Sequence, residues 1–141
     1  MESTNFEQII VETVVHAQVE KVWKYWTEPF HIMHWNYASP DWHTPQCEND
    51  LSVGGKFTTR MEAKDGSFGF DFWGIYDVIE TNKLIEYTLG DTRKVSITFS
   101  TNGEETKVIE TFEAEETNPL DMQKTGWQNI MDNFKKYVEE H

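Results

Sequence analysis

The sequence predicts an α+β fold: a curved antiparallel sheet of six or seven strands around one long C-terminal helix, with two short helices after the first strand. Three observations carry this. Period-two alternation of apolar and polar residues runs through residues 56–114 with no helical segment between the strands, as in an antiparallel meander. Trp127, Ile130, Met131, Phe134 and Val138 then recur at helical spacing and form one apolar stripe. Early in the chain, Val19, Val22, Trp23 and Trp26 break the strand pattern with helical spacing of their own.

Taken in order, residues 7–17, EQIIVETVVHA, read as a strand. Both alternate sets, Ile9/Val11/Val15 and Ile10/Val14, are apolar, so its inner face stays open. Residues 19–27 are the first helix. Pro29 interrupts it, and PFHIMHW is the second. Residues 36–50 carry two prolines and read as irregular. Strands are expected at Lys56–Ala63, Phe68–Ile79, Lys83–Leu89, Lys94–Ser100 and Thr106–Ala114. Asp65-Gly66 and Asn102-Gly103 mark tight hairpins. Asn118 is placed as the cap of the last helix, with Pro119 in its first turn. Gly126 lies inside that helix, where glycine costs about 1 kcal/mol relative to alanine. Close packing or room for a bound molecule explains it, as does a plain surface position.

A chain of 141 residues suits a single domain spanning 1–141. Its 6 Trp, 9 Phe and 5 Tyr are enough for a large core or a cavity wall. No apolar run approaches the roughly 18 residues of a membrane span, so no membrane insertion is expected. The opening MESTNFEQ lacks the basic and apolar regions of a signal peptide, and a cytoplasmic location is the expectation. The single cysteine, Cys47, excludes an internal disulfide. Net charge is -13, and the 12 basic residues are scattered, which argues against nucleic acid and anionic membranes as partners.

Three stretches, HAQVEKVWKYWTEPFHIMHWN, ENDLSVGGKFTTRMEAKDGSFGFDFWGIYDVIETNKLIEYT and GWQNIMDNFKKYVEE, together resemble the START-like, helix-grip (SRPBCC) superfamily. Within it, they are similar to the homologues of the activator of the heat-shock-protein-90 ATPase, in its C-terminal-domain-like branch. The resemblance implies a β-α-α-β-β-β-β-β-β-α order and a hydrophobic cavity between sheet and long helix. Relatives of this shape include binders of lipids, polyketides and other hydrophobic molecules, cyclases and co-chaperones, so fold alone does not fix the function. The resemblance carries over no catalytic residue, and the chain lacks the separate N-terminal domain of the eukaryotic co-chaperone.

The aromatic row of DLSVGGKFTTRMEAKDGSFGFDFWG supplies the wall of such a cavity, or a filled core. Phe57 and Met61 share one side of the first hairpin strand; Phe68, Phe70 and Phe72 share one side of the second. Tyr76, Tyr87 and Phe99 follow on later strands. Trp127 and Met131 approach from the helix, and Trp26, Met33 and Trp35 close the mouth. Glu110 is the one carboxylate in this set. The alternation Val108, Glu110, Phe112 puts it on the apolar face, where a carboxylate needs a partner or a raised pKa. A register with Ile109 inward and Glu110 in water avoids that cost and is the preferred expectation.

His31, His34, His43 and Cys47 match no metal-ligand pattern, and no metal or cofactor is expected. His43 beside Trp42 is a candidate for the pocket mouth; Cys47 reads as a structural thiol, and Gly54-Gly55 as a turn or bulge. The leading functional reading is binding of a small hydrophobic molecule, lipid-like, polyketide or aromatic, without covalent catalysis. The alternatives are an interaction module assisting a chaperone, and a cyclase- or hydrolase-type enzyme.

Overall fold

The computed structural model describes residues 7–141; the MESTNF opening lies outside the described residues. The chain runs β1 (Gln8–Val15), α1 (Val19–Thr27), α2 (Pro29–Trp35), β2 (Trp42–Asn49), β3 (Lys56–Ala63), β4 (Gly69–Glu80), β5 (Leu84–Leu89), β6 (Lys94–Asn102), β7 (Glu105–Glu113) and α3 (Leu120–Glu140). The strands form one antiparallel sheet in the order β1-β7-β6-β5-β4-β3-β2. This is the helix-grip α+β fold.

Residues 36–50 are not irregular throughout. Trp42–Asn49 forms β2, the seventh strand, paired with β3. Its register shifts between His43 and Gln46, around Pro45, and this break hides the period-two signal. The second hairpin turns one residue later than its dipeptide suggests: Asn102 pairs with Glu105, leaving Gly103 and Glu104 as the loop. Helix α3 also begins later than expected, with Pro119 at its cap. Asn118 does not cap it; its side-chain amide donates to Glu115 Oε2 at 2.8 Å.

β1 turns Ile9, Val11 and Val15 inward and leaves Ile10 and Val14 exposed. It is an edge strand, and α3 covers part of its free backbone. Gln128 Nε2 donates to Glu12 O at 3.1 Å, and Lys135 Nζ to Val14 O at 2.7 Å. Such cover blunts an edge that otherwise invites another chain.

The C-terminal half of α3 fills the closed end of the grip. Phe134 is fully buried and lies edge-on to both Trp26 and Trp35, with centroids 4.8 Å away in each case. One helix residue thus holds α1 and α2 at once. Trp35 Nε1 donates to Tyr25 O at 3.0 Å and fixes the two short helices against each other. The expected wall residues Phe99 and Met131 belong to this core. Phe99 packs on Trp23 and Trp26, and both Phe99 and Met131 are buried.

Candidate functional site: a pocket between sheet and helix

Between the N-terminal half of α3 and the middle of the sheet is a pocket of about 370 Å³. It exists because the two ends of α3 carry different residues. Where Phe134 and Met131 fill the grip, the preceding turn offers Gly126 instead. A Cβ added there would meet nothing within 4 Å, so the missing side chain leaves open space on the pocket side. The sheet opposes this with aromatics. Phe57 stands over Gly74 of β4, its register partner. A Cβ on Gly74 would lie 2.8 Å from the Phe57 ring and 2.9 Å from Thr88 O. Glycine is therefore what lets the Phe57 ring lie flat on the sheet. Phe57 in turn meets Tyr87 edge-on at 4.7 Å and Tyr76 at 5.4 Å.

Among the residues read from the sequence, the structure brings Trp26, Trp35, Phe57, Met61, Phe70, Phe72, Tyr76, Tyr87, Glu110 and Trp127 to the pocket lining. Met33 does not line it; α2 turns its neighbours Ile32 and Trp35 there instead, because the helical step carries Met33 to another face. Phe99 and Met131 sit in the filled core described above. Phe68 is 61% exposed and meets Trp42 and Phe70 outside, since it lies in the hairpin loop before β4 begins. His43 also stays outside the lining, 3.7 Å from Glu62 across the β2–β3 pair.

Several polar lining residues escaped the sequence reading. Asn49 accepts from Tyr76 OH at 2.6 Å and donates to Thr27 O at 2.6 Å. Gln123 of α3 is buried. Its side chain accepts from Glu115 N at 2.9 Å and donates to Glu115 O and Asn118 O, fastening the loop between β7 and the helix. Arg93 reaches the lining from the β5–β6 turn, with Nε on Asp91 Oδ2 at 2.7 Å and a second nitrogen on Glu113 O at 3.2 Å. A polar residue in a turn or at a strand end carries no periodic signal, so only the folded chain reveals that these converge.

The register of β7 decides Glu110. It pairs with Val11 of β1 and Ile97 of β6, both inward, so Glu110 points in and Ile109 does not. The expectation of Glu110 in water is overturned. The reason is tertiary: Val108 and Phe112 are almost fully buried on the same face, and moving Glu110 out would expose both. Burial pushes its carboxyl up to about 8. Tyr87 is pushed well above the usual phenol value by burial first, then by the nearby Glu110 charge. Burial likewise raises the Cys47 thiol, against a weak contact from Thr59 Oγ1 at 3.8 Å, so this cysteine is not an activated nucleophile.

His31 and His34 are engaged elsewhere. His31 Nδ1 lies 2.8 Å from Tyr137 OH, and His34 Nδ1 lies 2.7 Å from Phe30 O. Among the described residues no group of three or more His, Cys, Asp or Glu is arranged to hold a metal ion. None of the described helices is long and apolar enough to cross a membrane.

A seven-stranded sheet closed over a long helix, with an aromatic-lined pocket between them, defines a START-like helix-grip protein. The chain belongs to the family described as activator of Hsp90 ATPase homolog 1-like protein, whose model matches residues 16–139. It is similar to the solution structure of the AHSA1-like protein from Aeromonas hydrophila, at 42% identity and a TM-score of 0.89, covering 95% of this chain and 93% of that one. It is also similar to a solution structure from Cytophaga hutchinsonii, at 57% identity and a TM-score of 0.83, with 94% and 92% covered. A crystal structure from Chromobacterium violaceum shares the fold at 20% identity, with a TM-score of 0.86 and 94% and 98% covered. No protein of curated function matches the chain.

Proposed function

We propose that this protein binds a small hydrophobic molecule in the pocket between α3 and the sheet, without covalent catalysis. The observation that carries the reading is Gly126. An α-helix that otherwise presents large apolar side chains to the sheet omits one where the pocket lies, at a cost to its own stability. A volume of about 370 Å³ lies toward the small end of the range for ligand sites. The lining is mostly apolar, and an apolar ligand there removes that surface from water by taking the place of the missing side chains. The aromatic walls favour a flat or lipid-like body.

The test is a titration of isotope-labelled protein with fatty acids, flavonoids and polyketide-like aromatics, followed by chemical shift. Binding is expected to perturb Phe57, Phe72, Tyr87 and Trp127 together. Shifts confined to surface residues across the whole panel would overturn the reading. In that case a protein-interaction module acting on a heat-shock ATPase, which the family description supports, takes its place.

A further inference from the structure

The pocket carries several polar side chains, and most have partners within the protein. Tyr76 is held by Asn49, Gln123 by the loop it fastens, and Arg93 by Asp91 and Glu113 O. Glu115 accepts from the backbone of Thr117 and Asn118. Two are different. Glu110 is 6% exposed and Tyr87 is 8% exposed, both line the pocket, and neither side chain makes a hydrogen bond to any described residue. They stand on the same inner face, Glu110 paired with Ile97 of β6 and Tyr87 with Val95 two residues along that strand. No side-chain nitrogen or oxygen among the described residues is both sealed from solvent and unpartnered, so the oxygens of Glu110 and Tyr87 open on the pocket, where water or a ligand atom supplies the missing partner.

We infer that Glu110 and Tyr87 form the head-group site of the pocket, selecting an uncharged ligand with a carbonyl or hydroxyl oxygen on its apolar body. This rests on the proposed binding function and narrows it to a ligand class. The charges present support the choice. The titratable side chains that line the pocket with Glu110 are Tyr87 of β5, Tyr76 of β4, Arg93 of the β5–β6 turn, Glu115 of the β7–α3 loop and Cys47 of β2. β1, β6, α1, α2 and α3 bring no titratable side chain to the lining. Among the described residues the lining holds one Lys or Arg, Arg93, and its guanidinium is already matched by Asp91 at 2.7 Å. Glu110 in its buried, protonated form is a neutral donor, and so is the Tyr87 phenol. Two neutral donors with apolar walls suit a neutral acceptor. An ammonium or carboxylate head would lose its hydration for little return.

Three probes with one bicyclic body test this on the full chain: 2-acetonaphthone, 2-naphthoate and 2-naphthylmethylammonium, with naphthalene as the body alone. At about pH 6.5 the ketone is expected to bind about tenfold more tightly than either charged probe. Its affinity should then fall by up to about tenfold per pH unit once Glu110 ionises, while that of naphthalene stays flat. Glu110→Gln keeps a neutral donor, so it should retain ketone binding at about pH 6.5 and abolish the pH dependence. Tyr87→Phe should weaken the ketone and spare naphthalene. Equal affinities for all heads, tightest binding by naphthoate, or an unchanged pH profile in Glu110→Gln would each overturn the head-group assignment while leaving the pocket a ligand site. If naphthalene and all three probes leave the pocket resonances unmoved, the binding function fails and this inference with it. The wild-type pH profile requires no variant, so a poorly folded mutant does not protect the proposal.

Discussion

The indole of Trp127 lies flat on the ring of Phe112, with centroids 3.7 Å apart and planes inclined by 10°. This stack joins the N-terminal half of α3 to β7 beside the pocket, while Phe134 joins the other half to α1 and α2. The two aromatics differ in burial, because Trp127 has the pocket on one side and Phe134 has packed side chains all round.

That difference sets the first prediction. Phe134→Ala should destabilise the protein by about 3–5 kcal/mol, the usual range for a fully enclosed aromatic. Trp127→Ala should cost less, on the order of 2 kcal/mol, since the indole is only partly buried. Denaturant midpoints at constant m-value decide the order; equal losses would mean that the pocket side of Trp127 is as well packed as the core.

Glu110 makes stability depend on pH in an unusual direction. Its carboxyl titrates at about 8 in the fold against an ordinary value of 4.5. Between those values the folded chain holds a proton that the unfolded chain has released. Stability therefore falls as pH rises through this window, and the loss levels off above about 8. The limiting slope from this one group is about 1.4 kcal/mol per pH unit. Glu110→Gln should remove it, so the variant gains on the wild type steadily from about pH 5 to pH 8. Parallel stability curves for the two proteins across that range would show that the carboxyl is not held neutral.

Gly126 separates helix stability from ligand binding. Gly126→Ala places a methyl group in open space and should stabilise the protein by about 1 kcal/mol. Gly126→Leu projects a larger side chain from the same point into the pocket. It should fold normally and lose affinity for any pocket ligand at least tenfold, a steric effect worth more than about 1.4 kcal/mol. Unchanged affinity in the leucine variant would place the ligand elsewhere.

Thr92 has φ 79°, in the left-handed region, within the turn that delivers Arg93 to the pocket. A β-branched residue is strained there. Thr92→Asn should relieve on the order of 1 kcal/mol, because asparagine tolerates this conformation better. Thermal melts compare the two; a lower melting temperature for the variant would mean that the threonine side chain stabilises the turn in some other way.

The order of every element except β2, the antiparallel meander and the helix that lies against it were legible in the chain alone. These rest on local periodicity, and burying one face of a strand or helix leaves that period in the chain. The sequence also named most of the pocket aromatics, because they alternate along β3 and β4. Tertiary structure decided the rest. β2 was invisible because the break in register around Pro45 destroys its alternation. Asn49, Arg93 and Gln123 gather at the pocket from a strand end, a turn and a helix start, positions without a period. Phe99 and Met131 went to the filled core, since the grip closes fully at one end only. Glu110 turned on the register between β7 and its neighbours. A local preference to keep a carboxylate in water was outweighed by the burial of Val108 and Phe112 on the same face, a competition settled only when the strands pair.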